Sequence, residues 1–263
     1  MKIYNGNVQI NFKCSGKESG PVVLMAHSLG CNLHMWDAQM PSLEPDYRVV
    51  RLDMRGHGLS DVPPGPYTLD ELADDVIAVM DSQNIEKAHW VGLSVGGMIG
   101  QSLLLRYPNR FISAALCDTA SAQPEAAGPI WDARIKAVET DGLRSIVDAT
   151  MERWFTAAGL RTMNPAVGAV KKQLASTSDA GYVACCHAIM RLNYIDQLSD
   201  IKVPVSLIVG AEDLATPVSG SEAMQIRLPN SKLNVLENAA HISNVEQVEA
   251  FNNVLLPFLK SVS

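Results

Sequence analysis

No stretch of this chain stays apolar long enough to cross a bilayer: the longest uncharged run, Ala88 to Leu105, is broken by His89, Ser94, Gln101 and four glycines. The N-terminus alternates polar and apolar residues between Lys2 and Lys13, and so lacks the apolar core of roughly 7–15 residues that marks a signal peptide. Positive charge is scarce as well. Lys and Arg number 21 against 28 Asp and Glu, giving a net charge of −7, and the basic residues are scattered. Nucleic acid and anionic membrane are bound through clustered Lys and Arg, so neither is an expected partner. Cysteines are few and odd in number. Cys14, Cys31, Cys117, Cys185 and Cys186 lack C-x-x-C spacing, which favours reduced thiols packed as small hydrophobes over a disulfide frame or a zinc site. These absences point to a cytoplasmic protein. Internal repeats and low-complexity tracts are missing too.

What is there is a chain of 263 residues, 47% hydrophobic and 19% charged, long enough for one large α/β core. Val8 to Lys13 reads as a strand, and Val22 to Ala26 as one buried on both faces. A helix is expected from Asn32 to Leu43, then the strand Arg48 to Asp53. Thr68 with Glu71 three residues on forms a capping-box signature for a helix ending near Gln83. Ala88 to Leu93 is strand-like, Met98 to Arg106 helix-like, and Phe111 to Asp118 strand-like again. From Ser121 to Leu198 only helical patterns follow: Gly128 to Thr140, Leu143 to Ala157, Pro165 to Ser176 and Ala180 to Tyr194. The strands Val203 to Val209 and Lys232 to Leu236 flank a helix near Ser219 to Leu228, and a last helix runs from Ser243 to Lys260. This alternation implies a mostly parallel, doubly wound sheet with its active loops at the C-terminal strand ends, where His27, Asp53, Ser94, Asp118 and Asp213 fall. The expected division is a core of residues 1–120 and 199–263 with a helical cap inserted at 121–198.

The chemistry is expected in Gly92-Leu93-Ser94-Val95-Gly96, between the strand and the helix. In G-x-S-x-G the chain reverses sharply, and glycines two residues either side of the Ser remove Cβ atoms that would collide. Such a turn lifts the Ser hydroxyl out at the sheet edge and aims the free N–H groups of the following helix at the same place. A dinucleotide-binding reading fails on the glycine spacing, and a P-loop reading fails because the turn holds no Lys. Downstream, Val205 to Val209 runs into Gly210-Ala211-Glu212-Asp213, and Lys232 to Leu236 runs into Glu237 to His241. Ser94, Asp213 and His241 thus occur in the chain order nucleophile, acid, base. Asp118, at the end of an earlier strand, is the rival acid. His57 reads as a loop hydrogen-bonder, His34, His89 and His187 as packing or surface residues, and His27 as the residue that orients the turn after its strand.

With these residues in view the chain resembles the α/β-hydrolases over essentially its whole length, and within them the 3-oxoadipate enol-lactonases. The resemblance rests on His27 to Gly30 followed by Leu33 to Asp37, on Asp53 to Gly58, Pro63 to Leu69 and Gly92 to Gly97, and on His241 to Glu246. It implies a serine hydrolase that cleaves carboxylic esters or lactones through an acyl-enzyme, with Leu29 and Val95 N–H groups as oxyanion donors. It also implies Trp131, Arg134, Trp154 and Met190 as substrate contacts, with Arg153 a further candidate cation. Arg134 would read a substrate carboxylate, or else pair with an acid of the cap. Met190 and Asn193 stand where the lactonases carry Arg and an acid. A broad short-chain carboxylesterase and a hydrolase-fold receptor with little turnover are the alternatives. The partner is a small ester or lactone, and nucleophile, base and oxyanion donors are all protein groups, so no metal or organic cofactor is implied. The sequence sets no oligomeric state.

Overall fold

The computed structural model describes residues 1–162 and 165–262. Its centre is an eight-stranded sheet of β1 (Lys2–Asn5), β2 (Val8–Gly16), β3 (Val22–Ala26), β4 (Arg48–Leu52), β5 (Ala88–Leu93), β6 (Phe111–Cys117), β7 (Val205–Gly210) and β8 (Ser231–Leu236), in the order 1-2-4-3-5-6-7-8. β2 is antiparallel to both of its neighbours, and every pairing from β4 to β8 is parallel. The apolar runs of β5 and β7 are buried at every residue, as strands covered on both faces must be.

The helices are α1 (Met40–Leu43), α2 (Leu69–Ser82), α3 (Val95–Arg106), α4 (Gly128–Asp141), α5 (Val147–Trp154), α6 (Ala157–Thr162), α7 (Pro165–Ser176), α8 (Asp179–Met190), α9 (Val218–Arg227), α10 (Ser243–Glu246) and α11 (Val248–Ser261). α3 packs on β5 and β6, α2 packs on α3, and α11 reaches β7 and β8. Helices α4 to α8 all fall between β6 and β7, within the stretch read as helical from the sequence. Met163 and Asn164 of that stretch lie outside the described residues.

The strand order reverses between β3 and β5. From β3 the chain steps outward to β4 and then returns to the other side of β3, where β5 pairs with it through Ala26 and Gly92. At such a switch point the loops after the two central strands diverge and leave a crevice at their carboxyl ends. The Ser28–Gly30 turn and Ser94 are therefore brought side by side.

The capping box of α2 forms as its spacing requires. Thr68 Oγ1 accepts from the Glu71 N–H at 3.1 Å, and a Glu71 carboxylate oxygen accepts from the Thr68 N–H at 2.9 Å. Replacing such a cap by Ala typically costs ~1 kcal/mol. Thr68→Ala should lower the urea midpoint accordingly with the slope of the transition unchanged, since the surface exposed on unfolding is the same.

Three predicted helices are broken up. Asn32 to Leu43 is a 3₁₀ segment, Leu33–Gln39, running into α1, because the Asn32 side chain accepts from the His34 N–H and Pro41 enters at the next turn. Leu143 to Ala157 begins as a 3₁₀ turn after Gly142 and turns α-helical only at Val147. Ser243 to Lys260 is interrupted at Gln247, which leaves the helical region at φ −128° and ψ 62°.

Candidate active site

Ser94 ends β5 and caps α3 in a left-handed backbone conformation, φ 58° and ψ −119°. Such a conformation costs a non-glycine residue about 1–3 kcal/mol and persists only where its surroundings fix it. Here the Ser94 N–H donates to the Cys117 carbonyl at 2.9 Å, and the Ser94 carbonyl accepts from the Thr119 hydroxyl at 2.7 Å. A Cβ on Gly92 would collide with the Gly96 carbonyl, and one on Gly96 with the carbonyl of Ala26, so both glycines serve close backbone approach.

The turn after β3 is pinned from below by His27. Its Nδ1 lies 2.8 Å from the Ser28 carbonyl oxygen, so this nitrogen carries the proton and donates it, while Nε2 accepts from the Met54 N–H at 3.1 Å. Burial holds His27 below its usual pKa, so the ring is neutral and can make both bonds at once. Among the described residues, neither the Leu29 nor the Val95 N–H has a protein acceptor outside the helix and strand ladders.

Asp213 and His241 come from the loops after β7 and β8. His241 Nδ1 is 2.9 Å from Asp213 Oδ2, and both side chains are buried. A carboxylate oxygen only accepts, so Nδ1 carries the proton and Nε2 keeps its lone pair. Asp213 Oδ1 accepts from the N–H groups of Ala215 (2.7 Å) and Thr216 (2.9 Å), and Oδ2 also accepts from the Thr216 hydroxyl at 2.7 Å. Burial works to raise the Asp213 pKa, but the interaction with His241 and these donors outweigh it and hold the carboxyl below its usual value.

Asp118, the rival acid, does not reach the imidazole. Its Oδ1 accepts from the Gly210 N–H at 2.8 Å and its Oδ2 from the Ser243 hydroxyl at 2.5 Å, tying the ends of β6 and β7 to the base loop. Burial and then the Asp213 charge push its pKa well above its usual value. Asp53 is likewise occupied with its own loops, accepting from Leu33 N–H, Leu59 N–H and the Asn11 amide.

Ser94 and His241 open onto one cavity of about 420 Å³, with Ser28 and Leu29 in its wall. Trp131, Arg134 and Trp154 line it, as does Arg153. Met190 does not. One residue beyond Ile189, which faces the cavity, a side chain on α8 is rotated by roughly 100° about the helix axis. Met190 instead lines an adjoining groove with Asn193, one that shares Gln123 and Trp131 with the cavity wall.

Arg134 pairs with no acid among the described residues. Its Nε donates to the Tyr182 hydroxyl at 2.5 Å and one Nη to the Thr150 hydroxyl at 2.6 Å, and its guanidinium carbon sits 5.6 Å from the Tyr182 ring centroid. All its partners are neutral. Among the described residues no Asp or Glu lines the cavity, in a chain whose net charge is −7.

Sequence reasoning missed four residues that build this site. Thr216 lies three residues after Asp213, a spacing at which an Asp side chain commonly accepts from the chain ahead of it, and that was a readable signal. Thr150 and Tyr182 carried none, since their role depends on how α5 and α8 meet α4. Glu246 accepts from the Thr156 N–H and hydroxyl with one oxygen and from the Ala240 N–H with the other, clasping the base loop to the end of α5. Trp154 completes that clasp, its carbonyl accepting from the Ile242 N–H and its ring centroid 6.1 Å from that of His241.

Among the described residues no helix is long and apolar enough to span a membrane. Residues 21–248 match the family model described as the alpha/beta hydrolase fold. The chain is 37% identical over 254 residues to 3-oxoadipate enol-lactonase 2 of Acinetobacter baylyi, covering 97% of this chain and 94% of that one. The crystal structure of the enol-lactonase from Burkholderia xenovorans LB400 superposes with a TM-score of 0.95 at 31% identity, covering 99% of this chain and all of that one, 100%. A thermophilic esterase from Thermogutta terrifontis, solved with malate bound, gives a TM-score of 0.91 at 26% identity over 97% of this chain and 94% of that one.

Proposed function

Because this chain belongs to the alpha/beta-hydrolase family, we propose that it is a serine hydrolase of carboxylic esters or lactones, with Ser94 as nucleophile, His241 as general base and Asp213 as the acid that orients it. The observation that carries this reading is the strained Ser94 turn opening onto the same cavity as His241, whose Nδ1 proton is held by an ionised Asp213. Ser94 Oγ attacks the carbonyl carbon while its proton passes to His241 Nε2. The carbonyl electron pair moves to oxygen, where the Leu29 and Val95 N–H groups receive it. Collapse expels the alkoxide or enolate, which takes the proton from His241. Water then attacks the acyl-enzyme by the same route and regenerates Ser94.

Residues 121–198 act as a cap on the core of 1–120 and 199–263, and they carry Trp131, Arg134 and Trp154 into the cavity wall. The substrate class that fits is a small ester or lactone with a free carboxylate, such as the enol-lactone of 3-oxoadipate, because Arg134 offers a cation whose protein partners are uncharged. Free thiols and an acidic surface suit a cytoplasmic setting.

A panel comparing enzymatically generated 3-oxoadipate enol-lactone with short p-nitrophenyl esters tests the class directly. Failure to turn over either would remove the reading. Arg134→Ala separates the two substrates. A hydrogen bond to a charged group contributes ~1.5–3 kcal/mol, so kcat/KM for the lactone should fall about 10- to 150-fold while p-nitrophenyl butyrate loses little. Equal losses on both would show that Arg134 only braces Tyr182 and Thr150.

A further inference from the structure

Ser28 is fully buried, and its hydroxyl has no hydrogen-bond partner among the described residues. Its backbone is not free to relax. The Ser28 carbonyl accepts from His27 Nδ1–H at 2.8 Å and from the Cys31 N–H at 3.0 Å, and the turn continues through Gly30 at φ 75°. A buried hydroxyl without a partner is costly, and folded proteins keep such groups chiefly where a ligand or an ordered water completes them. Ser28 also lines the cavity that holds Ser94 and His241, next in sequence to Leu29.

We propose that Ser28 is a further catalytic residue, its hydroxyl donating a third hydrogen bond to the oxyanion that forms when Ser94 attacks. This rests on the ester-hydrolase reading above. The step needs no net proton transfer from Ser28: the carbonyl π electrons move to oxygen, the Ser94 proton goes to His241, and the Ser28 O–H only reorients toward the new negative charge. The rigid turn makes this contribution larger in the transition state than in the bound ester, because a hydroxyl fixed beside a neutral carbonyl gains most when that oxygen becomes charged.

The test uses the full chain with p-nitrophenyl butyrate as substrate and butylboronic acid as the tetrahedral probe that adds to Ser94. Ser28→Ala should lower kcat by roughly 10²-fold, the lower end of the loss seen for one oxyanion donor, with KM changed little. Affinity for the boronic acid should fall by a similar factor, while affinity for butyrate, the planar product, is kept. Ser28→Cys preserves the shape of the site but offers only a weak donor, so it should behave as the Ala variant does. A kcat within threefold of wild type in either variant would overturn the proposal, as would parallel losses for boronic acid and butyrate. Wild-type turnover alongside such a result overturns only the role of Ser28. A wild-type protein that neither hydrolyses the ester nor binds the boronic acid overturns this proposal together with the reading it rests on.

Discussion

Ser94→Ala should fold normally and lose about 10⁶ in turnover, the loss subtilisin shows when its serine is removed. The effect is expected to be this large because Ser94 supplies the only covalent step, and His241 and the oxyanion donors have nothing to act on without it. Folding should be spared for a geometric reason. The strain at φ 58° belongs to the backbone and is held by Cys117, Thr119 and the collapsed Gly92–Gly96 contact, none of which involves the Ser94 hydroxyl. An organophosphate should label wild-type Ser94 with loss of activity and leave the Ala variant unlabelled. Activity above a tenth of wild type in the variant would move the nucleophile elsewhere.

The second large effect is at the acid. Asp213→Asn should drop turnover by about 10⁴, because an amide presents a donor to Nδ1, turns the imidazole to the wrong tautomer and puts its proton on Nε2. The backbone sharpens the discrimination: the Ala215 and Thr216 N–H groups both bond Oδ1, so an Asn keeps its oxygen there and turns its amide nitrogen toward His241 Nδ1. Asp118→Asn, by contrast, should retain most of the activity. Asp118 makes no hydrogen bond to His241 among the described residues, and an Asn oxygen can still accept from the Gly210 N–H. Steady-state kinetics on the two variants decides the matter, and the reverse ordering would reassign the acid to the end of β6.

The fold was legible where local rules and global topology agree. β5 begins and ends as its apolar run does, because buried parallel strands need continuous hydrophobicity and Gly92 and Ser94 punctuate it. The capping box at Thr68 is a local device and needed no tertiary information. Ser94, Asp213 and His241 were legible as candidates because each sits after a strand in a fixed chain order. Contacts between segments were not. The 3₁₀ path through Leu33 depends on Asp53 accepting its N–H from another loop. Which face of α8 meets the cavity could not be read, because it is set by packing against α4. The neutral surroundings of Arg134 could not be read either, since Tyr182 and Thr150 lie far from it in sequence.

The pairing of β7 beside β6 also bears on how the protein comes to be active. These two strands are neighbours in the sheet, yet the whole of the inserted helical segment lies between them in the chain. Joining them therefore closes a long loop, and closure entropy must be met before the contacts made by β7 and β8 repay it. The Ser94 turn belongs to the earlier part of the chain, whose strands pair over shorter separations, while Asp213 and His241 arrive only with the last two strands. Bringing Ser94, Asp213 and His241 together therefore needs β7 and β8 in place.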